Sequence, residues 1–149
     1  MVDRELTQAE ADALIALEKV KADAVQYLYP PAGGFIVVPL ISVDRTEEFQ
    51  LDIRRGRLDL AKVTQQNRAR RVIILVRLDL GGPPHRNPDG VELPCPHLHV
   101  FREGYGDKWA VPLPSEKFPE PGNLWQSLQD FLRFCNVSDP NVVDRDLFV

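Results

Sequence analysis

Val72-Ile-Ile-Leu-Val-Arg-Leu-Asp-Leu80 is apolar on both faces over its first half, the pattern of a central strand with helices on one side. Downstream, His97-Leu-His-Val-Phe-Arg102 and Lys108-Trp-Ala-Val-Pro-Leu113 read as two further strands joined by Gly104-Tyr-Gly106. Upstream, Phe49-Gln-Leu-Asp-Ile53 alternates, with Phe49, Leu51 and Ile53 on one face and Gln50, Asp52 and Arg54 on the other. Arg55-Gly56 then reads as a turn into a return strand around Leu58 and Leu60. Phe35-Ile-Val-Val38 and Ile41-Ser-Val43 are rich in β-branched residues, and Pro39 between them marks an edge strand or a bulge.

Outside this region the period lengthens. Thr7 with Glu10 forms a capping box, and Leu14, Leu17, Ala24 and Leu28 predict a first helix over 7–28, ended by Pro30, Pro31, Gly33 and Gly34. Leu124, Leu128, Phe131, Leu132 and Cys135 predict a second helix over 123–136. Gly81 to Gly90 reads as loop, with Asn87-Pro-Asp-Gly90 a β-turn. The expected fold is α+β: a five- to six-stranded, mainly antiparallel sheet with an N-terminal and a C-terminal helix packed on it, one domain over 1–149.

Composition sets the class. The chain has 149 residues, 44% hydrophobic and 27% charged, enough for one apolar core and unlike the composition of disorder. No stretch is long and apolar enough to span a bilayer, and the acid-bearing N-terminus does not resemble a signal peptide, so the expected location is the cytoplasm with no membrane partner. Cys95 and Cys135 lack close-spaced partners and read as free thiols. The net charge of -4 is uneven: residues 45–77 hold nine basic and four acidic side chains, whereas both flanks are acidic. A basic middle suits RNA or an acidic partner protein.

All three histidines, His85, His97 and His99, fall within fifteen positions. Two apart on a strand, His97 and His99 share a face about 7 Å apart, beside Phe101, and a loop that folds back brings His85 to them. Glu103, Asp107 and Lys108 follow at once. Imidazole, carboxylate and ammonium groups near one turn make an adequate set for phosphodiester cleavage without a metal. His97 and His99 would serve as acid and base, Lys108 would stabilise charge, and His85 and Glu103 would support them. Arg54, Arg57, Arg68, Arg70 and Arg71 would hold the phosphate backbone, with Tyr105 stacking on a base; for Trp109 packing is the plainer role. Solvent-facing histidines on a half-exposed strand are the plain alternative.

His97-x-His99-x3-Glu103 also resembles the first metal-binding motif of the cupin family. That resemblance implies a divalent transition metal held by His97, His99 and Glu103, although no histidine follows His99 to supply the second cupin motif. Asp52, Asp59 and Asp79 recur in Leu-Asp contexts, as cation ligands or, more plainly, as partners of nearby arginines. Cys95, with a proline on each side, is a minor candidate for a catalytic thiol. The pair Gly104-x-Gly106 lies in a hairpin turn with no following helix, so it is not a phosphate loop.

Pro96-His-Leu-His-Val-Phe-Arg-Glu-Gly-Tyr-Gly-Asp-Lys-Trp-Ala110, with Arg77-Leu-Asp-Leu80 and Pro84-His-Arg-Asn-Pro-Asp-Gly90 before it, resembles an uncharacterised family of small bacterial and phage proteins. The family is classed as a domain of unknown function. The resemblance implies a toxin-like or accessory role directed at RNA. Three readings therefore stand: a small metal-independent ribonuclease without cofactor, a metal-binding protein or enzyme, and a non-catalytic module that binds nucleic acid or an acidic protein.

Overall fold

A computed structural model describes residues 5–145. Seven strands form one antiparallel sheet: β1 Lys19–Lys21, β2 Phe35–Ser42, β3 Glu48–Arg55, β4 Val63–Ala69, β5 Ile73–Leu80, β8 His97–Val100 and β9 Ala110–Pro112, in that spatial order. A two-stranded hairpin, β6 His85–Arg86 with β7 Glu92–Leu93, stands apart from it. Helices α1 Gln8–Ala16 and α2 Leu124–Phe134 supply Ala11, Leu14, Leu128, Phe131 and Leu132 to the same buried core as the sheet. The fold is α+β as expected, with seven strands in the main sheet rather than five or six.

Several local expectations need correction. The capping box of Thr7 and Glu10 is present, but α1 ends at Ala16, well short of 28. Lys19, fully buried, draws the chain out of the helix: its ammonium donates to the carbonyls of Ile15, Leu17 and Cys135 at 2.8, 2.8 and 2.7 Å. One side chain thus serves the C-terminal ends of both helices, and its backbone starts β1. Leu28, placed on the helix face by sequence, is half exposed.

Pro39 does not interrupt its strand; β2 runs unbroken from Phe35 to Ser42. A strand residue turns its N–H and C=O to the same side, and the Pro39 carbonyl accepts from Ala22 N, just past the last β1 pair, Lys21 with Leu40. The missing N–H therefore faces the place where the short edge strand stops.

The strand after Arg55-Gly56 is not at Leu58 and Leu60, which are exposed in a loop, but at β4. Its core-facing positions are Val63, Gln65, Asn67 and Ala69, and two buried amides in that row hide the alternation from a hydropathy reading. A register shift at Asn67/Arg68 then lets the adjacent Leu75 and Val76 both turn inward. Phe101, read as sharing the histidine face, turns into the core just past the end of β8.

The second helix and the Asn87–Gly90 turn match their reading. The stretch read as loop from Gly81 to Gly90, however, contains β6, and β8 and β9 are shorter than the strands read at 97–102 and 108–113. Asn123 caps α2 by accepting from Gln126 N at 3.0 Å, and the Asn87–Gly90 turn closes with Gly90 N donating to Asn87 O at 2.8 Å. Cys95 and Cys135 are free thiols. Among the described residues, no helix is long and apolar enough to cross a membrane.

Candidate functional site

The register of β5 on β8 sets Asp79 opposite His97 and Arg77 opposite His99. Arg-Leu-Asp on one strand thus meets His-Leu-His on the other, with Leu78 and Leu98 between them turned into the core. The four polar side chains share the outer face of the sheet with Asp52, Arg54, Thr64, Gln66 and Arg68 of the neighbouring strands.

Asp79 is the centre. Its Oδ2 lies 3.0 Å from His97 Nε2, 3.1 Å from His99 Nε2 and 3.4 Å from Arg77 Nε, while Thr64 Oγ1 donates to its Oδ1 at 3.3 Å. Burial pushes this carboxyl up, but the hydrogen bond from His99 and the charges of Arg77, His99 and His97 outweigh burial and hold it at about 2. Nδ1 of His99 donates to the Asp107 carbonyl at 2.7 Å, and Nδ1 of His97 faces the Pro94 carbonyl at 3.3 Å. Each ring thus directs Nδ1 to the main chain and Nε2 to the carboxylate. A lone pair cannot face a carboxylate oxygen across about 3 Å unaided, so a proton or a metal ion must stand between each Nε2 and Asp79 Oδ2.

The site is closed from above by the β6–β7 hairpin. His85 packs its ring against those of His99 and His97, with centroids 4.5 and 5.7 Å apart, and its Nε2 donates to the Lys108 carbonyl at 2.8 Å. The buried Asn87 amide fastens the hairpin to β9: Nδ2 donates to Ala110 O at 3.0 Å and Oδ1 accepts from Ala110 N at 2.8 Å, as a strand backbone would. A cleft of about 260 Å³ remains, with Asp79, His97, His85, Cys95, Thr64 and Lys62 in its wall.

The histidine cluster is therefore real, but it is not the open patch that sequence predicted. His97 and His99 are 2% and 0% exposed, because the hairpin covers them. Glu103 does not join them. Its carboxylate accepts from Gln8 N at 2.8 Å while its own N–H donates to Gln8 Oε1 at 3.0 Å, so it staples the start of α1. Lys108 contributes its carbonyl, not its ammonium.

The basic middle also disperses. Arg70 pairs with Glu47, at the far end of β5 from Asp79, about 20 Å along the strand. Arg71 follows it in the same turn, where its carbonyl accepts from Arg68. Arg68 is paired with Asp52, and Arg57 is exposed in the loop after β3. Arg54 lies on the same cross-strand row as Asp79, two strands or about 10 Å away, and rests on the Phe35 ring. Tyr105 packs edge-on against Trp109, with Arg102 over both rings.

Asp79 and Arg77 join the histidines without any signal in the local sequence. Asp79 and Asp52 both have the arginine partners that the sequence suggests, Arg77 and Arg68, while Asp59 accepts from Ala61 N in a surface turn. Only the pairing of β5 with β8, across eighteen residues, shows that Asp79 belongs with the histidines.

Chemically, one carboxylate oxygen and two imidazole nitrogens, all within 4.8 Å of one another, form a two-His, one-carboxylate donor set. Two donors each about 2.1 Å from one metal and at right angles stand about 3.0 Å apart, which matches both Oδ2–Nε2 separations. The hydrogen bonds from Nδ1 to main-chain carbonyls are the support that metal-bound histidines use.

A family model described as "Family of unknown function (DUF6978)" matches residues 6–137. No curated protein and no solved structure matches the chain. The chain belongs to the DUF6978 family, a family of unknown function.

Proposed function

We propose that this protein binds a divalent transition metal through Asp79, His97 and His99 and works as a metal-dependent protein of the two-His, one-carboxylate type. The observation that carries this reading is the convergence of both Nε2 atoms on one oxygen, Asp79 Oδ2, with Nδ1 of each ring turned to a main-chain carbonyl. Packing alone gives no reason to bury two imidazoles around a carboxylate. Three protein donors leave coordination positions for water or substrate, and Asp79 and His97 both line the cleft from which these would come. The carboxylate donor is Asp79, not Glu103.

Metal-independent cleavage of RNA is the weaker reading. An acid and a base must flank the scissile phosphorus, whereas these two imidazoles point Nε2 at the same oxygen and His99 is sealed from solvent.

The test is elemental analysis of untagged protein from metal-replete cells, followed by zinc and cobalt titration of the stripped protein. One equivalent is expected, lost in His99→Ala and Asp79→Asn but kept in Glu103→Gln. No bound metal and no binding below millimolar concentration would overturn the reading. RNA incubated with the protein in EDTA should stay intact; degradation there would restore the ribonuclease.

A further inference from the structure

The cleft beside Asp79 and His97 has a second charged wall that the metal donors do not use. Lys62 lines it, is exposed, and has no ion pair among the described residues. Its stem lies along Gly82, where an added β-carbon would stand 3.4 Å from Lys62 Cε, and Gly81 and Gly82 both have positive φ. The loop is thus shaped to let the lysine run over it towards the cleft.

Charge decides what the space accepts. Arg77 is paired to Asp107 at 2.7 Å and to Asp79 at 3.4 Å, so these three groups and Lys62 together sum to zero. A divalent ion on Asp79, His97 and His99 would raise that sum to two positive charges. Among the described residues no carboxylate pairs with Lys62, so its charge faces the cleft uncompensated.

We propose that the metal-loaded cleft binds a small oxyanion, a carboxylate or a phosphate, with one oxygen at the open metal position and another on the Lys62 ammonium. This rests on the metal site proposed above and names the substrate class it would take. A cleft of about 260 Å³ is small for a nucleotide and suits an anion of a few heavy atoms or the acidic head of a longer molecule. Lysine, a mobile point charge, suits a tetrahedral or planar oxyanion equally.

The test uses the full chain loaded with cobalt(II), whose visible spectrum reports its ligands. Acetate, inorganic phosphate and, as an ionic-strength control, chloride are titrated in turn. Acetate or phosphate should shift the bands saturably where chloride does not, and the arm that binds tighter identifies the class. In Lys62→Gln the anion should bind about ten-fold more weakly while cobalt binds as before. A cobalt spectrum indifferent to every anion, or anion binding unchanged in Lys62→Gln, would overturn this proposal and leave the metal site standing. Failure to bind cobalt at all would overturn both.

Discussion

Arg77 Nη2 lies 3.1 Å from His99 Nε2, the ring nitrogen turned away from the Asp107 carbonyl. The same Nε2 faces Asp79 Oδ2 at 3.1 Å, so the Arg77 guanidinium sits against the nitrogen and the carboxylate that a metal would need. The guanidinium therefore stands in for the cation in the metal-free protein and must yield when one binds. Arg77→Gln is expected to tighten zinc or cobalt binding about ten-fold, since it removes a competing positive charge beside Asp79. Competition against a chromophoric chelator measures this, and equal or weaker affinity would refute it.

Asp79 also makes stability depend on pH. Its carboxyl falls from an ordinary 3.8 to about 2 in the folded protein, so the charged form is favoured by folding. The contribution is complete above about pH 4 and is lost as pH falls towards 2, amounting to about 2 kcal/mol. Urea unfolding in EDTA should show native protein losing this extra stability between pH 4 and 2. Asp79→Asn should show a correspondingly flatter profile over the same interval.

Gln65 is a buried weakness. Its side chain is sealed between Ile53 and Leu78 of the adjoining strands, close enough to influence the Tyr29 phenol, yet neither end of the amide has a partner in hydrogen-bond geometry. Gln65→Met is expected to stabilise the protein by about 1 kcal/mol, because it removes two unsatisfied atoms at similar volume. Chemical denaturation decides the sign.

Asn87 carries the hairpin. In Asn87→Ala the N–H and carbonyl of the buried Ala110 lose their partners, at an expected cost of about 2 kcal/mol. The loosened hairpin should also expose Cys95, two residues past the end of β7, to faster reaction with a thiol reagent such as DTNB. An unchanged rate would show that β7 is held by other contacts.

How far the sequence could be read depended on whether polarity followed burial. β3, β5 and α2 announced themselves, since Phe49, Leu51, Ile53 and the Leu128–Leu132 face are apolar where they are buried. β4 did not, because Gln65 and Asn67 occupy core positions, and α1 was overextended because Lys19, a charged residue, is fully buried. The histidine pair was legible from its spacing of two. Its carboxylate was not: Glu103 lay nearest in sequence, whereas Asp79 was brought in by a strand pairing that periodicity cannot specify. Burial of the pair was equally hidden, since it comes from a two-residue strand held by Asn87 and by the bond of His85 to the Lys108 carbonyl.

Lys19 has a last consequence. Its ammonium joins the carbonyls of Ile15 and Leu17 to that of Cys135, its N–H donates to Asn136 O at 2.9 Å, and its carbonyl accepts from Ser138 N at 3.0 Å. Segments more than a hundred residues apart are thereby tied to a single position, which joins the C-terminal ends of α1 and α2. Amide exchange in the last turns of α1 and α2 should therefore follow one shared opening event.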